Sequence, residues 1–193
     1  MTLEISKIKS SGAKKKYPRL TDGTHLARIY QVVDLGMQER TDWETKEPTD
    51  PKNMVMVSWE IPGETIEIEE EDGTTTTKPK VISKEYMLST HEKAGLMKLL
   101  GAIAPKATSL AELLNVPCML QIGSTSTGNA KVANVMACPA GIDVAALFNE
   151  SVFFDFDNFD QGLFDTLYNW QQEKIKSALN WKEPAEEEAV EEY

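Results

Sequence analysis

The chain is poor in cysteine and histidine and has no long apolar run. Two cysteines in 193 residues supply neither a disulfide framework nor a cysteine-based zinc site. The expected compartment is therefore reducing and cytoplasmic. No apolar stretch approaches the ~18 residues of a membrane-spanning helix. The N-terminal MTLEISKIKSSGAKKKYPRL lacks the apolar core of a secretory signal. His25 and His91 are too few and too isolated for a catalytic triad. There is no GxxxxGKS/T run and no GxGxxG, which argues against nucleotide hydrolysis and dinucleotide binding. No internal repeat is present.

What is there resembles an ordinary globular composition, with 41% hydrophobic and 26% charged residues, and this excludes wholesale disorder. Charge is unevenly spread. The net value is −11, which by itself argues against a nucleic-acid binder. Yet residues 1–30 hold Lys7, Lys9, Lys14, Lys15, Lys16, Arg19 and Arg28 against Glu4 and Asp22. The last residues, EPAEEEAVEEY, carry six acids and no base, and removing them takes the net charge from −11 to −5. Such polarity points to interaction segments at both ends. The expected organisation is a flexible basic arm over 1–16, one folded domain over 17–182, and an acidic tail over 183–193.

Inside the domain the pattern is mainly β. His25 to Leu35 is β-branched and aromatic and reads as a long first strand, with Gly36 suited to a bulge. Residues 38–52 read as a polar loop. Met54–Ile61 is a second strand, with Val55, Val57, Trp59 and Ile61 on one face and Met54, Met56, Ser58 and Glu60 on the other. Thr65–Ile68 alternates, and EEEDGTTTTKPK forms a protrusion turning at Asp72-Gly73. Val81–Leu88 is another strand, with Ile82, Lys84, Tyr86 and Leu88 on one side. Leu96, Leu99, Leu100 and Ile103 then recur at helical spacing, predicting a helix over 91–103 capped by Ser89 or Thr90. A short helix over 109–114 follows. Strands over 117–122 and 131–137 close a hairpin through Gly128-Asn129. Val152–Phe156 reads as a short strand or packing segment, and Gln161–Leu179 as a helix. Five strands with a helix between the third strand and the last hairpin is the order of a five-stranded Greek-key barrel, the OB-fold. A β-sandwich or a split α+β sheet is the alternative architecture.

A basic N-terminal arm, this strand order, and an acidic C-terminus ending in Tyr193 resemble the bacteriophage single-stranded DNA-binding proteins. The stretches that carry the likeness are HLARIYQVVDLGMQ, MVMVSWEIP, VISKEYMLSTHEKAGLMKLL, PCMLQIGSTSTGNAKVANVMACP and FDTLYNWQQEKIKSALNW, spread over 17–193. The resemblance implies a protein that coats single strands during phage DNA replication, recombination and repair inside an infected bacterial host. It implies no chemical step, no cofactor and no metal. It also implies a tail, with Glu186, Glu187, Glu188, Glu191, Glu192 and Tyr193, that recruits replication or recombination proteins and competes with DNA for the groove. A homo-oligomer is compatible with it.

Sequence-independent binding of single strands takes cations for phosphate and aromatic faces for bases. Arg28 and Tyr30 share a face of the first strand, and Lys84 and Tyr86 a face of the third. These two pairs are expected to build such a surface, the competing reading being that both tyrosines are buried in the barrel. Lys14, Lys15, Lys16, Tyr17 and Arg19 are phosphate-contact candidates. Trp43, in the polar loop, is a stacking candidate. Trp59, Trp170 and Trp181 read as packing residues. The alternative function is a metal-dependent nuclease or junction resolvase built on Asp155, Asp157 and Asp160, since close carboxylates can hold magnesium. Those residues alternate with Phe153, Phe154, Phe156 and Phe159, which also suits a packed segment with its polar side in water. Cys118 and Cys138 read as small core residues.

Overall fold

The computed structural model describes residues 18–42, 44–69 and 73–182. Six strands form one mainly antiparallel sheet: β1 (Gly23–Thr41), β2 (Pro48–Glu69), β3 (Thr75–Met87), β4 (Pro117–Ser124), β5 (Ala130–Ala137) and β6 (Val152–Phe154). The order is β3-β2-β1-β4-β5, and β6 pairs parallel to the middle of β1. Helix α1 (Gly95–Ile103) lies between β3 and β4, and a 3-10 turn over Leu110–Leu113 follows it. Two short helices, α2 (Gln161–Thr166) and α3 (Asn169–Lys176), complete the domain.

β1 and β2 are longer than the apolar runs that announce them. The loop expected over 38–52 shrinks to 42–47, because Gln38, Arg40 and Thr41 pair with Lys52, Thr49 and Pro48. Pro48 and Pro51 are tolerated because β2 has no second neighbour here: its β3 ladder starts only at Met54. β2 and β3 also run together past Pro62, as a two-stranded arm from Thr65–Pro79 to Glu69–Thr75. The helix expected from His91 starts only at Gly95, with Ala94 as its first non-helical residue. The single helix expected over 161–179 breaks at Leu167 and Tyr168, both extended.

Both faces of β1 and β2 are buried. The inner face carries Ala27, Ile29, Val32, Val55, Val57, Trp59 and Ile61, packed with Tyr86, Leu96, Leu99 and Leu120 under α1 and β4. The outer face carries Val33, Leu35, Met54 and Met56, covered by Phe154, Phe164, Leu167 and Ile175 of the C-terminal segment. There Phe154, Phe159, Phe164 and Trp181 touch ring to ring at 5.3–5.9 Å. Trp59 and Trp181 are thus packing residues, as the sequence suggests. Trp170 is not, since it is 48% exposed.

Two-sided burial explains the polar contacts on the outer face. Gln171 of α3 donates to Gln31 (2.8 Å), Ser58 donates to the same Gln31 oxygen (3.2 Å), and Ser58 meets Ser83 (2.8 Å). The cross-strand neighbours Arg28 and Glu60 are each engaged by loops. Arg28 donates to the carbonyls of Asn115 (2.7 Å), Val144 (2.7 Å) and Ala145 (3.0 Å). Glu60, 1% exposed, accepts the amides of Phe148 (2.9 Å) and Asn149 (2.6 Å). Together they fasten the connection between β5 and β6 across the sheet.

β1 bulges at Gly36, which the register skips onto from Asp34. Its φ is +68°, and a Cβ there would lie 2.6 Å from Phe156 and 2.9 Å from Ala178. Gly36→Ala is therefore expected to lower unfolding free energy by about 2–4 kcal/mol, combining left-handed strain with overpacking. Urea denaturation checks this; an unchanged midpoint would contradict the bulge geometry.

Candidate functional site

Cationic side chains gather where the sheet's two end strands face each other. β3 and β5 come close but share no backbone ladder among the described residues. Two cavities lie along that seam. One, of about 380 Å³, is bounded by Arg19, Ile66, Lys80, Val81, Ser83 and Ala130. The other, of about 120 Å³, is bounded by Lys84, Tyr86, Gly95, Lys98, Ala133 and Asn134. Among the described residues neither lining contains a carboxylate, although Glu64 pairs with Lys80 of the first.

The cations are held differently. The Lys84 ammonium donates to the Val132 carbonyl of β5 (3.1 Å) and sits 5.3 Å from the Tyr86 ring centre. Burial lowers its pKa from the ordinary lysine value. Lys80 donates to Glu64 (2.8 Å) and to the Arg19 carbonyl (3.0 Å). Arg19 contacts Asp22 (2.8 Å), Ser124 (2.9 Å) and the Gly128 carbonyl. Lys98 faces the narrower cavity from α1. Lys80 and Lys84 lie four residues apart on one strand face, about 13 Å, a span on the order of two nucleotides of extended single strand.

This geometry redraws the surface expected from sequence. Lys84 and Tyr86 do share a face, but it is the inner one, opposite Val57 and Val55. Arg28 and Tyr30 lie on the outer face, opposite Glu60 and beside Ser58. The two pairs stand on opposite sides of the sheet and build no common surface. Tyr30 is 4% exposed and Tyr86 5%, so neither ring has an open face for a base. Burial raises the pKa of each hydroxyl, and Tyr168 beside Tyr30 raises that one further. Arg28 is consumed by carbonyls. Arg19 and Lys84 line the two cavities, Arg19 bound to Asp22 and Ser124 and Lys84 to the Val132 carbonyl. Lys14, Lys15, Lys16, Tyr17, Trp43 and the tail residues Glu186, Glu187, Glu188, Glu191, Glu192 and Tyr193 lie outside the described residues. Lys80 and Lys98 were not expected from sequence. Period-two alternation through Lys80, Ile82, Lys84 and Tyr86 could have added the first; only the packing of α1 reveals the second.

Two carboxylates of the nuclease alternative, Asp155 and Asp160, bind local backbone amides. Asp155 accepts from the Asp157 amide (3.0 Å) and the Asn158 side chain (2.6 Å). Asp160 caps α2 through the Leu163 amide (2.8 Å). Among the described residues no group of three or more His, Cys, Asp or Glu side chains is placed to share a metal ion. No described helix is long and apolar enough to cross a membrane. Cys118 is buried, and its thiol is pushed up to about 12 by desolvation; Cys138 is half-buried and meets the Ile142 carbonyl at 3.6 Å.

Glu64 closes one end of the seam. Burial pushes its carboxyl pKa up, but the Lys80 ammonium and the Thr21 amide and hydroxyl outweigh that and bring it down from 4.5 to about 2. Because the folded value lies below the unfolded one, the ionised group's stabilisation is complete above about pH 4.5 and is lost as pH falls toward 2. Acid unfolding of the native chain should steepen in that window, and Glu64→Gln should flatten it. Parallel pH–stability curves for the two proteins would contradict this assignment.

No protein-family model, curated protein or solved structure matches the chain.

Proposed function

We propose that this protein binds single-stranded DNA without sequence preference, and that the β3–β5 seam is its phosphate-tracking groove. The observation that carries the reading is a pair of cation-lined, carboxylate-free cavities on a chain of net charge −11. Arg19 and Lys80 are paired with Asp22 and Glu64, whereas Lys84 and Lys98 face the narrower cavity, and a polyanion is the ligand that such a cationic line suits. The strand order supports the same reading. Five strands run β3-β2-β1-β4-β5 with α1 between β3 and β4, which we read as an OB-type arrangement left open where β5 meets β3. Lys84 occupies that opening.

The proposed role is coating of exposed strands in phage replication, recombination and repair, with replication proteins as partners of the acidic tail. Residues 183–193 carry six acids and no base, which suits a tail that competes with DNA as an intramolecular anion. The resolvase reading gains no support here, because Asp155 and Asp160 are bonded to local backbone amides.

Fluorescence anisotropy with single- and double-stranded oligonucleotides of equal length tests the proposal. Single strands should bind more tightly, and affinity should fall steeply with salt. Lys98→Gln should weaken binding to all sequences alike and lower the salt slope by about 1. Equal or tighter binding of duplex would overturn the reading. Removing 183–193 should tighten single-strand binding, most at low salt, where screening is weakest, and should abolish binding to replication partners. Weaker binding after truncation would show that the tail is no competitor.

A further inference from the structure

Lys84 is half-buried at the seam, and among the described residues no carboxylate pairs with it. Two other cations of the seam are held differently. Lys80 is bound to Glu64 (2.8 Å) and Arg19 to Asp22 (2.8 Å). The Lys84 ammonium has the Val132 carbonyl (3.1 Å) and the Tyr86 ring (5.3 Å) instead. Both favour the charged form, but neither supplies a compensating negative charge. Burial works the other way and lowers the pKa from the ordinary lysine value. Such an amine spends more time unprotonated, and the unprotonated amine is the nucleophile.

Lys84 lines the narrower cavity, of about 120 Å³, together with Tyr86, Gly95, Lys98, Leu99 and Asn134. That is well below the roughly 300–1,000 Å³ of a drug-sized site, so the cavity suits a small ligand. Its other titratable groups are Lys98 of α1 and Tyr86 of β3, whose hydroxyl burial keeps protonated. Lys98 is exposed and has no carboxylate partner among the described residues. The cavity thus sets a nucleophile beside a second ammonium, with no described carboxylate in its lining to repel an anion. A matching ligand carries an electrophilic carbon next to an anionic group.

We propose that Lys84 is an acylation site for small acyl phosphates, with Lys98 attracting the phosphate group. The Lys84 amine attacks the acyl carbon. A C–N bond forms, the C–O bond to phosphate breaks, and phosphate leaves with that electron pair while one amine proton passes to water. The product is a neutral amide, so the step removes a cation from the seam. An acyl thioester on a large carrier would not enter this cavity, and a neutral ester would gain nothing from Lys98. The site does not depend on the DNA reading, and its test uses no DNA.

The full-length chain is treated with acetyl phosphate, and the acetylation rate at each lysine is mapped by peptide mass spectrometry. Lys93, Lys106 and Lys131 are exposed and serve as internal references. Near neutral pH Lys84 should react about 3- to 10-fold faster than each of them, because the unprotonated fraction sets the rate. Its rate should level off below the pH at which an ordinary lysine levels off. In concentrated urea the advantage should vanish, since the fold creates it. Lys98→Gln should slow acetyl phosphate at Lys84 several-fold more than it slows p-nitrophenyl acetate, a neutral ester. Lys98→Arg keeps the charge and should retain the rate. A Lys84 rate no higher than the references, or an advantage that survives unfolding, would overturn the site. Equal slowing of both reagents by Lys98→Gln would overturn the assignment to acyl phosphates.

Discussion

Burying β1 and β2 on both faces is the constraint on which the rest of the structure depends. One face closes over the inner core under α1 and β4, and the other is closed by β6, α2 and α3. Buried polar side chains on these strands then call for internal partners, because an unpaired buried group costs about 1–3 kcal/mol; the Trp59 Nε1 is the exception among the described residues. Gln31 and Ser58 find each other and Gln171. Arg28 and Glu60 find the loop backbone instead of one another. Their charges therefore order the connection from β5 to β6, which is how Phe148 acquires a fixed place.

The same constraint decides where charge can act. The outer face of the central strands is covered by the C-terminal segment, which is why the proposed polyanion site falls at the sheet's end strands. There β3 and β5 approach without pairing, and Lys84 reaches across to the Val132 carbonyl. A strand-to-strand ladder would have sealed that line. Gly95 lets α1 come against Tyr86, whose ring would lie 3.3 Å from a Cβ at that position. Tyr86 thereby forms a wall of the narrow cavity instead of a platform within it.

Much of this was legible in the sequence where the signal is local. β-Branched residues mark β1, β2 and β3, helical spacing marks α1, and Gly128-Asn129 marks the final hairpin, although β1 and β2 extend well past their apolar runs and α1 starts at Gly95 and not at His91. The bulge at Gly36 was legible because few other residues adopt that backbone. What escaped depends on contacts distant in sequence. Met54 and Met56 read as a second face of β2, but nothing nearby says that Phe164 and Ile175 will cover it. Tyr30 and Tyr86 each sit two residues from a cation. Whether the two pairs share a surface is settled by register, which places them on opposite sides of the sheet. Apolar spacing runs evenly through 161–179, so the break at Leu167 and Tyr168 leaves no local trace. Five strands in this order were expected to form a closed barrel, whereas the sheet has no ladder between β3 and β5 among the described residues.

The central claim is that the gap between β3 and β5 is where a single strand lies. Amide hydrogen exchange, with and without a saturating thymidine oligonucleotide, maps that contact directly. The account predicts slowed exchange over 80–86 of β3, 95–99 of α1 and 130–135 of β5, with residues 155–160 unchanged. Protection centred on 155–160, with the seam unaffected, would contradict it.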